Sequence, residues 1–307
     1  MLKYELFTAL KSKRVIFLFL LFILIAAYDL YQNYTYNFHE YLAGVASRPK
    51  GKNLYHPCYA SFISAAHIGS LPQILMTWTF PLYPLFSYAD SFAVQKQCGY
   101  YNILLTKVER KKVVSSRLTV SFLIPFIVVL VTLILNFAVA NIVFKGGTSF
   151  MGMEVELGKG GTVSLLALSL RHPYVIYIAY IFVFSIVTGL YGMFCAAVTF
   201  FIPKYIVLYP AIFFVWFLIM NIPYSIWSVM QSFTDYSSTE MIVSSIYYTV
   251  FMLATAVAAY VYKVRYDHAV DVGVGEGRLV GGGRRGASAP GGGQDQSSLT
   301  SGDSLVS

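Results

Sequence analysis

Charged residues are scarce in this chain of 307 residues: 12% are Asp, Glu, Lys or Arg, whereas 57% are hydrophobic. Soluble domains have about 25% charged residues, because a small protein needs polar groups to cover its surface. The mean hydropathy of +0.63 agrees with this imbalance. The composition therefore excludes a soluble globular protein and predicts a membrane protein.

Cysteine is also rare, with only Cys58, Cys98 and Cys195 in the whole chain. The order of apolar runs along the chain predicts that Cys58 lies outside the membrane, Cys98 in the cytoplasm and Cys195 within a membrane span. Three cysteines in three different environments exclude a framework of internal disulfides.

Six apolar runs are long enough to cross a hydrocarbon layer of about 30 Å. They predict an all-α polytopic protein with spans at about 15–32, 71–89, 118–144, 174–202, 205–227 and 241–262. A cleaved signal peptide is the alternative for the first run, but no A-x-A-like site follows it.

Leu2, Leu6, Ala9 and Leu10 recur at helical spacing, so residues 1–13 are predicted to form an interfacial amphipathic helix. Residues 267–307 are rich in Gly and Ser and are predicted to be a disordered tail, native or added.

Lys and Arg are distributed unevenly between the predicted loops. With the N-terminus inside, sixteen of the 22 lie on the cytoplasmic side or in the tail, and six lie outside. This bias predicts that both termini are cytoplasmic. It also explains the basic pI of about 9.2 without a nucleic-acid partner.

Asp, Glu, Lys, Arg and His are absent from the last four predicted spans. A proton-coupled carrier needs a titratable relay in the membrane, and a membrane protease or metalloenzyme needs carboxylates or His/Glu pairs. The sequence therefore predicts no catalytic residues and no cofactor in this chain. Prolines and neutral amides remain as candidates for a transport pathway or for helix kinks, although simple helix packing explains them equally. They are Pro81, Pro84, Pro125, Asn136, Asn141, Asn221 and Pro223.

Two segments are predicted to lie outside, at 33–70 and 145–172. The first contains His39, His56 and His67 with Glu40, but their irregular spacing makes aromatic packing at the membrane surface the favoured interpretation over a metal site. The second is rich in Gly, but Gly160 follows Lys159 where a phosphate-binding loop requires Ser or Thr. Neither segment therefore predicts a metal or nucleotide site.

The predicted cytoplasmic loop 90–117 combines six cations with a hydrophobic period that Gly99 interrupts. This pattern predicts two short amphipathic helices around a glycine hinge, lying on the inner leaflet or against a partner. A solvated basic loop is the alternative, but such a loop has no use for the Ile103-Leu104-Leu105 cluster. We therefore expect a docking element.

The same loop, together with the six spans and the preceding amphipathic helix, resembles the permease subunits of type-2 ABC exporters, especially those of Gram-positive bacteria. The resemblance covers residues 1 to about 266. The matching residues of the loop are Asp90, Ser91, Phe92, Gly99, Tyr100, Leu104, Leu105, Lys107, Arg110, Lys111 and Arg117. The chain departs from many family members at Gln95-Lys96-Gln97, where they carry a glutamate.

The resemblance implies a multi-pass permease of the bacterial cell membrane that exports an amphipathic or apolar substrate such as a peptide, lipid or drug. ATP and Mg would be bound by a separate ABC ATPase subunit, and a second permease subunit, identical or related, would complete the pathway among membrane lipids. It also implies the residues of the coupling helix that sit against the ATPase. These are Phe92, Gln95, Lys96, Gln97, Gly99, Tyr100, Leu104, Leu105, Arg110 and Lys111. A membrane sensor or scaffold without transport activity, and a secondary carrier, are the alternatives.

Overall fold

The computed structural model describes residues 1–63, 71–151, 165–202, 204–230 and 238–265. These residues form helices joined by turns and loops, with one isolated β-bridge between Tyr55 and Ser149. The helices before residue 110 are α1 (Leu2–Leu10), α2 (Lys13–Asn37), α3 (His39–Leu42), α4 (Pro57–Ala60), α5 (Leu71–Thr79), α6 (Leu82–Pro84), α7 (Ser91–Gln97) and α8 (Tyr100–Lys107). Those after it are α9 (Arg110–Val143), α10 (Leu165–Arg171), α11 (Pro173–Phe201), α12 (Tyr205–Asn221), α13 (Trp227–Met230) and α14 (Ser238–Arg265).

Four helices in the described part are long and apolar enough to cross a membrane: α2, α9, α11 and α14. Large apolar side chains project from them without protein cover, among them Leu24, Ile142 and Val175, which are 66%, 76% and 68% exposed. Exposed apolar surface of this extent requires a nonaqueous environment. The chain is thus an all-helical, multi-pass membrane protein, as its composition predicts.

The second and fifth predicted spans differ from the sequence-based expectation. Residues 71–89 do not form one helix: α5 ends at Thr79, Pro81 precedes the short α6, and Leu85–Ala89 forms a π-helical turn. Proline lacks the amide hydrogen that a continuous helix needs, so Pro81 and Pro84 account for the break. Helix α12 has 17 residues and ends at Asn221, two residues before Pro223, so the predicted span 205–227 was too long.

Helix α9 is longer than predicted, with 34 residues from Arg110 to Val143. The predicted loop therefore ends at Glu109, and Arg110 to Arg117 form the first two turns of a long helix.

The N-terminal helix is confirmed at Leu2–Leu10. Its Leu6, Ala9 and Leu10 pack against the protein core, whereas Tyr4 and Phe7 are 75% and 59% exposed. The predicted apolar stripe thus serves mainly to hold α1 on the protein.

Helices α9 and α11 are in close contact at Gly192 of α11. A Cβ atom at this position would collide with the Ser121 carbonyl and would lie 2.7 Å from the Pro125 Cγ of α9. Small residues let membrane helices approach in this way.

Next to this contact lies an aromatic cluster in which Phe80 stacks on Trp216 with 4.5 Å between ring centroids. Trp216 also donates a hydrogen bond to the Thr77 carbonyl of α5 at 3.0 Å, so the broken second span is held by side chains.

The predicted tail 267–307 and residues 152–164 of the glycine-rich segment 145–172 lie outside the described residues.

Candidate functional site

Helices α7 and α8 form a short helical pair, which we name the α7–α8 segment (residues 91–107). Gly99 joins them with φ +71°, a left-handed conformation that residues with a Cβ seldom adopt. The pair confirms the predicted helices and hinge. Phe92 of α7 packs edge to face on Tyr101 of α8 with 4.9 Å between centroids, which closes the segment on itself.

Asp90, directly before α7, anchors this segment to two long helices. Its carboxylate accepts hydrogen bonds from the Arg14 guanidinium of α2 at 3.1 Å to both oxygens and from the Tyr209 hydroxyl of α12 at 3.2 Å. Asp90 is buried, and burial raises the pKa of its carboxyl although the Arg14 guanidinium opposes that rise. The ion pair therefore joins the start of α2, the start of α12 and the entry to α7.

Phe92, two residues after Asp90, provides a second anchor. Its ring, 2% exposed, packs edge to face on Phe200 at the end of α11, with 4.8 Å between centroids. The Arg117 guanidinium of α9 and the Lys263 ammonium of α14 lie 5.5 and 5.7 Å from the same ring centroid. Both cations are buried, where attraction to the face of an aromatic ring is strongest. Arg117 also donates a hydrogen bond to Gln95.

The two anchors together connect the α7–α8 segment to α2, α9, α11, α12 and α14. These helices begin or end at this side of the molecule, which we name the basic end because it carries Arg14, Lys204 and Lys263. A displacement of α7 would act directly on the ends of five long helices.

The residues implied as ATPase contacts lie on two different faces of the α7–α8 segment and at the start of α9. Phe92 is buried, Gln95 is bonded to Arg117, and Leu104 and Leu105 are half-buried against the core. Lys96, Gln97, Tyr100 and the neighbouring Ile103 are exposed, with Tyr100 and Ile103 at 51% and 58%. Arg110 is half-buried and Lys111 is exposed at the start of α9. A partner that docks here would meet the exposed set.

The kink and pathway candidates are dispersed, and the described structure does not bring them together into one polar channel. Asn136 is buried and links elements: its amide donates to the Ala26 carbonyl at 3.0 Å and accepts from the Phe62 amide at 3.1 Å. Asn141 and Asn221 donate to carbonyls of their own helices, at 2.8 and 2.7 Å. Pro125 lies in the close contact with Gly192. Asn136 and Pro125 thus take part in contacts between elements, whereas Asn141 and Asn221 bond only within their own helices.

At the opposite end, His56 is part of a packed aromatic cluster. Its ring stacks on Phe150 with 4.7 Å between centroids, and its Nδ1 accepts the Cys58 amide at 3.2 Å as the cap of α4. Burial lowers the pKa of His56 to about 4. His67 of the weighed metal trio lies outside the described residues, and among the described ones no group of three metal ligands occurs.

A cleft of about 720 Å³ opens beside this cluster. Tyr36, His39, Glu40, Tyr41 and Tyr55 contribute to its walls. Asn37, also in the lining, donates a hydrogen bond to the Asn53 carbonyl at 3.1 Å.

Sequence reasoning missed three of the anchoring side chains: Arg14, Tyr209 and Lys263. Each lies at a predicted membrane boundary, where a cation or tyrosine is expected for topology alone. Arg14 and Tyr209 share Asp90 as their partner and Lys263 lies over Phe92, and both contacts join residues that are far apart in the sequence.

Comparison with known proteins identifies one relative: an uncharacterized protein, YybM, of Bacillus subtilis (strain 168), is 29% identical over 214 residues, which are 69% of this chain and 84% of that protein. No family model matches the chain, and no solved structure matches it.

Proposed function

We propose that this chain is the permease subunit of an ATP-driven exporter of the type-2 ABC class, and that the α7–α8 segment couples it to a separate ATPase subunit. The observation that carries the proposal is the pair of anchors at Asp90 and Phe92, which link one short segment to the ends of five long helices. The sequence resemblance supports the same assignment.

The arrangement matches the mechanical task of such a segment. One face is fixed to the membrane helices through charge pairs and aromatic contacts, and the other presents Tyr100 and Ile103 to the surroundings. Exposed aromatic and aliphatic side chains near cations are typical of a protein interface. ATP-driven movement of a partner on that face would shift α2, α9, α11, α12 and α14 together, provided the partner contacts the two states differently.

Co-purification with an ATPase tests the proposal. The full chain is expressed with each ABC ATPase subunit encoded in the same genome and is purified through a tag on the permease in mild detergent. Ile103→Asp and Tyr100→Asp are expected to reduce the retained ATPase at least tenfold, because each places a charge in the apolar centre of the interface. Leu104 and Leu105 are poorer choices, since they pack on the core and their loss would also destabilise the fold.

Val45→Asp is the matched control, because Val45 is 80% exposed and lies after α3 at the opposite end. It should leave ATPase retention unchanged. If the wild-type chain retains no ATPase, or if the control is as harmful as Ile103→Asp, the coupling role is wrong.

A second candidate is a membrane sensor or scaffold without transport, which the cleft of about 720 Å³ favours. Reconstituted vesicles separate the two: ATP turnover that rises with transported substrate excludes a pure scaffold. A substrate that binds without raising turnover or moving across the membrane supports the sensor.

A further inference from the structure

A second groove, of about 420 Å³, lies at the basic end between α1, α9 and α14. Its polar wall is one face of the first turns of α9, where Lys111, Ser115 and Thr119 follow each other at intervals of four residues. Tyr260 of α14 lines the facing wall, and Leu2 of α1 supplies an apolar edge. The groove is separate from the exposed face of the α7–α8 segment.

The polar side chains of this groove are two lysines, which only donate, and four hydroxyl groups, which can donate. In the described structure, no residue accepts from the Lys111 ammonium, the Ser115 hydroxyl or the Tyr260 hydroxyl. Two neighbours are already engaged: Lys112 pairs with Glu109 at 3.2 Å, and the Ser116 hydroxyl donates to Glu5 at 2.8 Å. The groove lining itself contains no carboxylate. A ligand that complements it must therefore bring acceptor oxygens and negative charge.

The surroundings decide which acceptor-rich ligand fits. Tyr4 and Phe7 of the adjacent α1 are exposed, as expected for a helix at a membrane interface. Basic pockets between membrane helices at this level bind the head groups of anionic phospholipids. Leu2, 40% exposed at the edge, offers contact to the glycerol or the first methylenes of a chain.

We propose that this groove binds the phosphate head group of an anionic phospholipid, with Lys111, Ser115 and Tyr260 donating to the phosphate oxygens. The site would fix α1 and the first turns of α9 to the membrane surface. The proposal does not depend on an ATPase partner, and it assigns Lys111 to lipid rather than to protein.

Native mass spectrometry of the full chain in detergent tests this assignment. Phosphatidylglycerol, phosphatidylcholine and inorganic phosphate are each titrated onto the protein. Phosphatidylglycerol is expected to bind, and phosphatidylcholine to bind at least tenfold more weakly because its ammonium group faces Lys111. Inorganic phosphate without chains is expected to bind only weakly; if it binds as well as phosphatidylglycerol, the site belongs to a soluble phosphate.

Two variants localise the site. Lys111→Gln should weaken phosphatidylglycerol binding about fivefold, the effect of one cation near a lipid surface, and Tyr260→Phe should weaken it two- to threefold. Lys3→Gln is the matched control, because Lys3 is exposed on α1 but does not line the groove. Equal losses for Lys3→Gln and Lys111→Gln would mean a diffuse charge effect and would overturn the site. Loss of ATPase retention in Lys111→Gln with unchanged lipid binding would also overturn it, and this outcome leaves the coupling proposal standing.

Discussion

At the scale of single residues, the contribution of a charged group at the basic end to stability depends on how deeply it is buried. Asp90 is buried, whereas the Arg14 side chain that pairs with it is 48% exposed. An ion pair with one buried and one solvated partner is asymmetric, because losing either member leaves a different group uncompensated. The same asymmetry makes the pair testable.

Arg14→Gln is expected to lower the free energy of unfolding by about 3 kcal/mol, because it leaves the buried Asp90 carboxylate with only the Tyr209 hydroxyl. Asp90→Asn is expected to lower it by about 1 kcal/mol, because the amide still accepts from Tyr209 and water solvates Arg14. Denaturant unfolding in detergent measures both. Equal costs, or a larger cost for Asp90→Asn, would show that the pair is not buried as described.

His56 predicts a dependence of stability on pH. Its pKa is about 4 in the folded protein because burial disfavours the charged ring, and about 6.5 in the unfolded chain. Between these values the unfolded state binds a proton that the folded state does not, so stability must fall as the pH falls from 6.5 towards 4. With these two pKa values, the expected loss of stability between pH 7 and pH 5 is at most about 2 kcal/mol.

His56→Asn is the matched variant, because Asn also caps a helix N-terminus but does not titrate in this range. Its thermal midpoint should change less between pH 7 and pH 5 than that of the wild-type protein. An unchanged pH dependence in the variant would assign the effect to other groups.

At the scale of elements, the close approach of α9 and α11 depends on glycine. Gly192→Ala is expected to destabilise the protein by about 2 kcal/mol, because the new methyl group meets the Ser121 carbonyl and Pro125. Gly189→Ala is the comparison one turn away, where the nearest atoms are 2.9 Å away on the Phe122 ring. The ring can turn, but the Phe122 carbonyl at 3.0 Å must also shift slightly. Because alanine gains about 1 kcal/mol of helix propensity over glycine, we expect a net loss smaller than that of Gly192→Ala.

Thermal unfolding of the two glycine variants in detergent checks this difference. Equal effects would mean that the backbones of α9 and α11 are further apart than described.

The sequence alone predicted those helices that are determined by a few neighbouring residues. The apolar run from Val15 and the hinge at Gly99 predicted α2 and the α7–α8 pair, because hydrophobic period and glycine conformation act over a few residues. The sequence did not predict the structure of residues 71–89. Their apolar composition indicated one continuous span, but Pro81 and Pro84 interrupt the helix. The role of Phe92 was also hidden, because its contacts with Phe200 and Lys263 join residues more than 100 positions apart.

At the scale of the whole molecule, the central claim is that the α7–α8 segment faces the cytoplasm and carries a partner there. The long helices place this segment and the cleft of Tyr36 and Tyr55 at opposite ends, since α2, at 1.5 Å per residue over 25 residues, spans about 37 Å. Under the proposed function, the end with the α7–α8 segment is the one that the ATPase moves. Which end lies in the cytoplasm decides whether an ATPase can reach the segment.

The cysteines of the chain offer a direct measurement of this. Cys98, between α7 and α8, is exposed, whereas Cys58 and Cys195 are buried. A membrane-impermeant maleimide should leave Cys98 unlabelled in intact cells, label it in inside-out vesicles, and label it more slowly when the ATPase is co-expressed, with Cys98→Ser as the blank. Rapid labelling of Cys98 in intact cells would place the segment outside the cell and would contradict the exporter assignment.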